Sequence, residues 1–132
     1  MGVRALLCVA GLAATVAVAA GCGGSPVPAA TDVDLAHGKQ LFQQRCGGCH
    51  TLADAGTKGT LGPDLDQAYL GPRLQGFKPS SFEAMVHQQI AQAEQPMPRN
   101  LVTGQDAVDV AAYIASVAGV KLAQQEGGGA AG

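Results

Sequence analysis

The sequence has no tryptophan and only five aromatic residues, Phe42, Tyr69, Phe77, Phe82 and Tyr113, in 132 positions. A domain so poor in large rings lacks the apolar volume from which a small core is normally built. A large buried group would supply it. Charge is also scarce, at 14% Asp, Glu, Lys and Arg, with a net charge of −2. No basic run or patch exists, so nothing suggests nucleic-acid binding. No single-sign cluster would give strong steering of a partner. No segment alternates like a strand, and there are no internal repeats. The one long uncharged apolar run is Ala5–Ala20, 16 residues. It is shorter than the about 20 residues that a membrane span requires.

That run follows Arg4 and reads as the hydrophobic part of an export signal. Two cleavage readings stand. Ala17-Val18-Ala19 suits ordinary signal peptidase, whereas Ala19-Ala20-Gly21-Cys22 resembles a bacterial lipobox, in which Cys22 is acylated and becomes the first mature residue. Ala19 departs from the usual lipobox, which has Leu there. The lipoprotein reading takes 1–21 as signal peptide, 22–33 as a Gly/Ser/Pro/Ala linker, 34–119 as the domain and 120–132 as a disordered tail. It also accounts for the cysteines, leaving no spare thiol in an oxidising compartment. About 110 residues then remain, enough for one small domain. Its seven basic and ten acidic residues sum to −3.

Cys46-Gly47-Gly48-Cys49-His50 carries the chemistry. C-x-x-C-H is the signature of covalent haem attachment. The two thiols add across the two vinyl groups, and the histidine beside the second supplies an axial nitrogen to iron. Gly47 and Gly48 leave the porphyrin edge unobstructed. Structural zinc needs two Cys/His pairs, and His37 and His87 are not paired. A thioredoxin-like pair needs a βαβ setting. A Cys46–Cys49 disulfide would close too small a loop to stabilise much, and leaves His50 unexplained.

Three helices are visible. The first spans Asp34 to Arg45, capped by Asp32 or Asp34, with Leu35, Gly38, Leu41 and Phe42 at helical spacing. Gly38, taken alone, reads as a neutral surface residue. The second spans Ser80 to Ala93, with Ser80 and Glu83 as a capping box and Phe82, Met85, Val86 and Ile90 on its core face. The third spans Thr103 to Ala118, capped by Thr103 and closed by Gly119. Tyr113 is its one large residue, expected against Gly38 and Phe42 with its phenol end kept polar. Thr51–Pro79 reads as a long Gly- and Pro-rich loop wrapped around the porphyrin. His37 is expected to face solvent.

From Gly38 to Gly119 the chain resembles a class I c-type cytochrome of the small bacterial mono-haem kind. The residues that carry the likeness are Gly38 and Phe42, the haem motif, Leu61-Gly62-Pro63-Asp64-Leu65, the helix around Met85, Pro96-Met97-Pro98, and Val110-Ala111-Ala112-Tyr113-Ile114. The resemblance implies an all-α cytochrome c fold, with three main helices and long loops around one covalent haem c. It implies His50 as proximal ligand, Met97 as distal ligand, and the Pro63 carbonyl as acceptor for the other ring N–H of His50. It also implies that the Gly38/Phe42 face crosses the Tyr113 face.

Met85 lies on an apolar stripe and reads as core, whereas Pro96 and Pro98 hold Met97 in an extended backbone. His87 is the alternative distal ligand. Tyr69 and Arg73 are candidates to bind the haem propionates. The expected function is one-electron transfer rather than enzyme catalysis, at an exposed haem rim near Gly47, Gly48, Thr51 and Pro98-Arg99. The expected partners are redox proteins at a membrane (quinol–cytochrome c reductase, a terminal oxidase or a dehydrogenase), with the chain tethered by lipid at Cys22 on the outer face of the cytoplasmic membrane or in the periplasm. The alternatives are a haem subunit dedicated to one dehydrogenase, or a ligand-binding sensor or enzyme with a labile distal Met.

Overall fold

Asp34 starts the first helix by accepting the backbone N–H of His37 at 2.9 Å. This is the ordinary way to satisfy a free amide of a first helical turn. In the computed structural model, which describes residues 32–128, helix α1 runs Leu35–Leu41 and widens into a π-helical turn, Phe42–Cys46. The Gly47 N–H closes that turn onto Phe42 O at 2.8 Å. The expected signal segment, Cys22, residues 22–31 of the expected linker and the last four residues of the expected tail lie outside the described residues.

After the haem motif, β1 (Thr51–Leu52) and β2 (Thr57–Lys58) pair antiparallel, Thr51 opposite Lys58 and Leu52 opposite Thr57. Then follow α2 (Leu65–Leu74), α3 (Pro79–Gln92), α4 (Gly104–Val117) and α5 (Val120–Gly128). The chain is mostly helical, as expected, but with more elements than the three helices read from the sequence.

Four local expectations are corrected. The Thr51–Pro79 segment is not a structureless loop, for it holds the hairpin and α2. The α2 N-cap is Asp64, whose carboxylate accepts the N–H groups of Asp66 and Gln67. Helix α3 begins at Pro79 rather than Ser80, with Lys78 as N-cap and no side-chain cap. Proline's fixed φ and missing N–H suit the first helical position, so Ser80 falls inside the helix and the Ser80/Glu83 box does not form. Thr103 does stand at the N-cap of α4, but its side chain makes no cap hydrogen bond. Residues 120–128 of the expected tail are helix.

Helix α4 is buried at every position from Ala107 to Ala115 and packs between α1 and α3. A helix apolar nearly all round belongs in a core. Gly38 is buried, not on the surface, and a Cβ there would overlap the carbonyl of Asp109 and stand 3.0 Å from Tyr113 Cβ. The Phe42 and Tyr113 rings meet at 6.2 Å. The Tyr113 hydroxyl donates to Asp54 Oδ1 at 2.7 Å, and Lys39 Nζ reaches the same oxygen at 3.0 Å. These two donors hold the Asp54 carboxyl below its ordinary range, while burial and the Asp54 charge push the Tyr113 phenol up.

Buried Asp66 ties three segments together, accepting the Ala53 N–H at 2.8 Å and the Gly119 N–H at 2.9 Å from its place on α2. Gly119, at φ 72°, seats the α4–α5 turn directly on the α2 backbone, where a Cβ would come within 3.0 Å of Leu70 N. Only glycine adopts that φ without strain while allowing so close an approach. Arg73 donates to the carbonyls of Ala115 and Ala118 and lies 4.8 Å over the Phe82 ring. It caps the C-terminal end of α4. No helix among the described residues is long and apolar enough to cross a membrane.

Candidate haem site

The π-helical turn delivers Cys46 inward and leaves Cys49 outside. Cys46 is 7% exposed, and burial, with Cys49 beside it, pushes its thiol up to about 11. Backbone N–H groups of Cys49 and His50 both bond Cys46 O at 3.0 Å, which coils the motif into a tight turn. Gly47 is small for a reason other than the porphyrin edge. A Cβ there would come 2.5 Å from Thr57 Cγ2, so the glycine makes room for the hairpin. Gly48 has nothing within 4 Å of the equivalent position.

His50 is held from two sides. Its Nδ1 lies 2.9 Å from Pro63 O. A carbonyl only accepts, so Nδ1 carries the proton and Nε2 keeps a free lone pair. Gly62 lies flat against the ring, where a Cβ would come 2.5 Å from Cε1 and 2.9 Å from Nε2. The Gly62 N–H in turn bonds Cys49 O at 2.8 Å. Gly59 backs the Cys49–His50 peptide, again with no space for a Cβ. Gly62 was visible in the sequence within Leu61-Gly62-Pro63. The packing roles of Gly59, Gly62 and Asp66 were missed, because nothing local marks which backbone a loop will press against.

Two adjoining cavities, about 290 and 320 Å³, share Cys46, His50, Pro63 and Met97. The first opens past Cys49, Leu61 and Pro98, with Arg45 and Glu94 on its rim. The second runs inward between α2, α3 and α4, walled by Phe42, Tyr69, Val86, Ile90, Val110 and Ile114. Met97 is half-buried and packs on the core. Its backbone is not extended on both sides as read from the prolines. Gln95–Pro96 is cis, in a turn where the Met97 N–H bonds Glu94 O at 3.0 Å. Arg99 Nε donates to Ala93 O at 2.7 Å and the Asn100 N–H to Ile90 O at 2.9 Å, so the turn is fastened to the end of α3.

Other candidates fall differently. Met85, expected in the core, is 40% exposed and stands at the edge of the second cavity. Its helix turns Phe82, Val86 and Ile90 inward, leaving Met85 at the margin of that stripe. His87 lines neither cavity. Arg73 lines neither cavity and is committed to the α4 carbonyls, which removes it as a propionate ligand. Tyr69 does line the second cavity, and burial pushes its phenol up. His37 is not simply solvent-facing, because its Nε2 pairs with Asp106 Oδ1 of α4 at 3.0 Å.

A pair of thiols at the mouth of an apolar slot, an imidazole with one nitrogen free, and a thioether on the same walls fit a covalently held porphyrin. Fold and site together define a c-type cytochrome. Residues 35–118 match the family described as Cytochrome c, and the chain belongs to it. Helix α5 follows the matched stretch. Among solved structures, the crystal structure of the c-type cytochrome SorU from Sinorhizobium meliloti is similar, at 31% identity over 64% of this chain and 91% of that one, with a TM-score of 0.49. No curated protein matches. The cofactor is haem c, bound through Cys46 and Cys49, and the family's activity is haem-based electron transfer.

Proposed function

We propose that this chain is a mono-haem electron carrier in which His50 Nε2 and Met97 Sδ are the axial ligands of the iron. The observation that carries this reading is that His50 and Met97 line both cavities, together with Cys46. Bound haem supplies one-electron exchange between ferrous and ferric iron. The Pro63 carbonyl fixes the His50 tautomer and raises its basicity through the Nδ1 hydrogen bond. Met97 contributes a soft donor that favours the ferrous state, and the apolar walls exclude water, so both raise the potential. With His50 and Met97 both donating to the iron, substrates would not reach the metal, and the chemistry would be electron transfer without bond making.

The partners in this reading are redox proteins at a membrane, among them quinol–cytochrome c reductase, a terminal oxidase or a dehydrogenase. Contacts of this type are small and short-lived. A lipid on Cys22 would raise effective concentration near such partners. It would place the domain on the outer face of the cytoplasmic membrane or in the periplasm.

The test is the optical spectrum of the oxidised protein. The long-wavelength band of sulfur-ligated ferric haem is expected in the wild type and absent in Met97→Ala, which gains carbon monoxide binding in its reduced form. A wild type without the band that binds carbon monoxide readily overturns the carrier reading in favour of a sensor or enzyme. Membrane fractionation of Cys22→Ala tests the anchor, and unchanged membrane association would refute it.

A further inference from the structure

We propose that Asp66 sets the reduction potential of the haem, as a buried negative charge placed behind the wall of the cofactor cavity.

Asp66 is 9% exposed and belongs to α2, the helix whose Leu65, Ala68, Tyr69 and Pro72 face the second cavity. Asp66 itself lines neither cavity. Its carboxylate turns instead toward the hairpin and the α4–α5 turn. Oδ2 accepts the Ala53 N–H at 2.8 Å, and Oδ1 accepts the Gly119 N–H at 2.9 Å. Two bonds accepted and none donated are the pattern of an ionised carboxylate.

No cation is in contact with it. Asp66 takes part in neither of the two ion pairs among the described residues. The other charge at this spot is Arg73, on the same helix. Arg73 donates to the Ala118 carbonyl while Asp66 accepts the Gly119 N–H, so the two side chains grip opposite sides of one peptide unit. That peptide stands between them. Backbone donors disperse a negative charge without cancelling it.

Its field therefore persists in the interior, where charges interact several times more strongly than in water. The Tyr113 phenol registers it. Burial and Asp54 push that group up, and the Asp66 charge adds to both. The haem motif lies close by along the chain. Asp66 follows Pro63 by three residues, and the Pro63 carbonyl bonds His50, while Ala53, which bonds Asp66, follows His50 by three. On this side of the cofactor a negative charge favours ferric over ferrous iron and lowers the potential. Charge and packing then act in opposite directions. Removing the charge raises the potential, whereas loosening the fold admits water to the haem and lowers it.

The experiment is redox titration of the full haem-loaded protein. Asp66→Asn keeps the shape, loses the charge and should raise the midpoint potential. The ratio of oxidised to reduced protein at fixed potential should fall roughly threefold, about 30 mV on the scale of 59 mV per tenfold for one electron. Asp66→Ser is also neutral, should shift the same way, and replaces the Asn variant if that one does not load haem. Asp66→Glu keeps the charge and should hold the wild-type potential, although its extra methylene lowers the thermal unfolding midpoint. A neutral variant with an unchanged or lower potential overturns the proposal. So does a Glu variant that moves as far as the neutral ones. The inference rests on haem attachment at Cys46 and Cys49 with His50 on the iron, not on Met97. If the wild type lacks the sulfur-to-iron band, the distal assignment fails while these shifts still read the Asp66 charge.

Discussion

Gly38 lies so close to Asp109 that any side-chain carbon on it would collide with the Asp109 carbonyl. The two helices therefore cross backbone to backbone, with Tyr113 closing one side. Gly38→Ala is expected to destabilise the haem-loaded protein by about 1–3 kcal/mol through overpacking. This outweighs the roughly 1 kcal/mol that alanine gains over glycine within a helix. Thermal unfolding followed by circular dichroism reads it, as a fall of about 4–8 °C per kcal/mol for a domain of this size. An unchanged or higher midpoint would mean that the helices do not approach as described.

Gly62→Ala acts on the site rather than on the core. The new methyl group would stand 2.5–2.9 Å from three atoms of the His50 ring, so the ring must turn and the Nδ1 bond to Pro63 O must stretch. A lower yield of haem-loaded protein and a shifted spectrum are expected. Gly71→Ala, which meets nothing within 4 Å, is the matched control and should leave the spectrum alone.

Arg99→Ala should loosen the turn that carries Met97, because the bond from Arg99 Nε to Ala93 O is lost. One such hydrogen bond is worth about 1 kcal/mol, or roughly a fivefold change in the population of the open turn. Stopped-flow measurement of imidazole binding to the oxidised protein reads that population. Equal rates in variant and wild type would show that the turn is held elsewhere.

The His37–Asp106 pair should make stability depend on pH. The hydrogen bond that His37 donates to Asp106, with further attraction from Asp109 and Asp34, raises the folded-state pKa of His37 above its ordinary 6.5. A raised folded value means that protonated His37 favours the native state. The gain is complete below 6.5 and is lost as pH climbs through the folded value. Urea midpoints should therefore fall over that window in the wild type. The His37→Ala variant should lose that decline, and a decline of the same size in the variant would assign it to another group.

Haem attachment was legible because its chemistry is local, five consecutive residues with fixed spacing. The Gly38–Tyr113 crossing and the Pro63 contact with His50 needed the order of several motifs, and both contacts are present. Helix α2 was hidden by Gly71 and Pro72, which sit inside its second half. Yet Leu65, Ala68, Tyr69 and Pro72 follow helical spacing and all face the second cavity, a signal that was there to read. Helix α5 was hidden because only Val120 and Leu122 of its nine residues are large apolar side chains. Its position comes from Gly119 on α2, a tertiary contact with no local trace. Arg73 was misread for a similar reason. A lone arginine near a cavity suggests an anion, and only the fold reveals that two carbonyls at the end of α4 claim it first.

The two thiols of the motif stand only three residues apart but on opposite sides of the protein's skin. Cys49 is exposed, whereas Cys46 is packed among the core residues. Once the interior has closed, nothing as bulky as a protein that joins thiols to vinyls can touch Cys46. Attachment at Cys46 is therefore expected to need the chain before its interior closes, whereas Cys49 stays within reach of solvent afterwards.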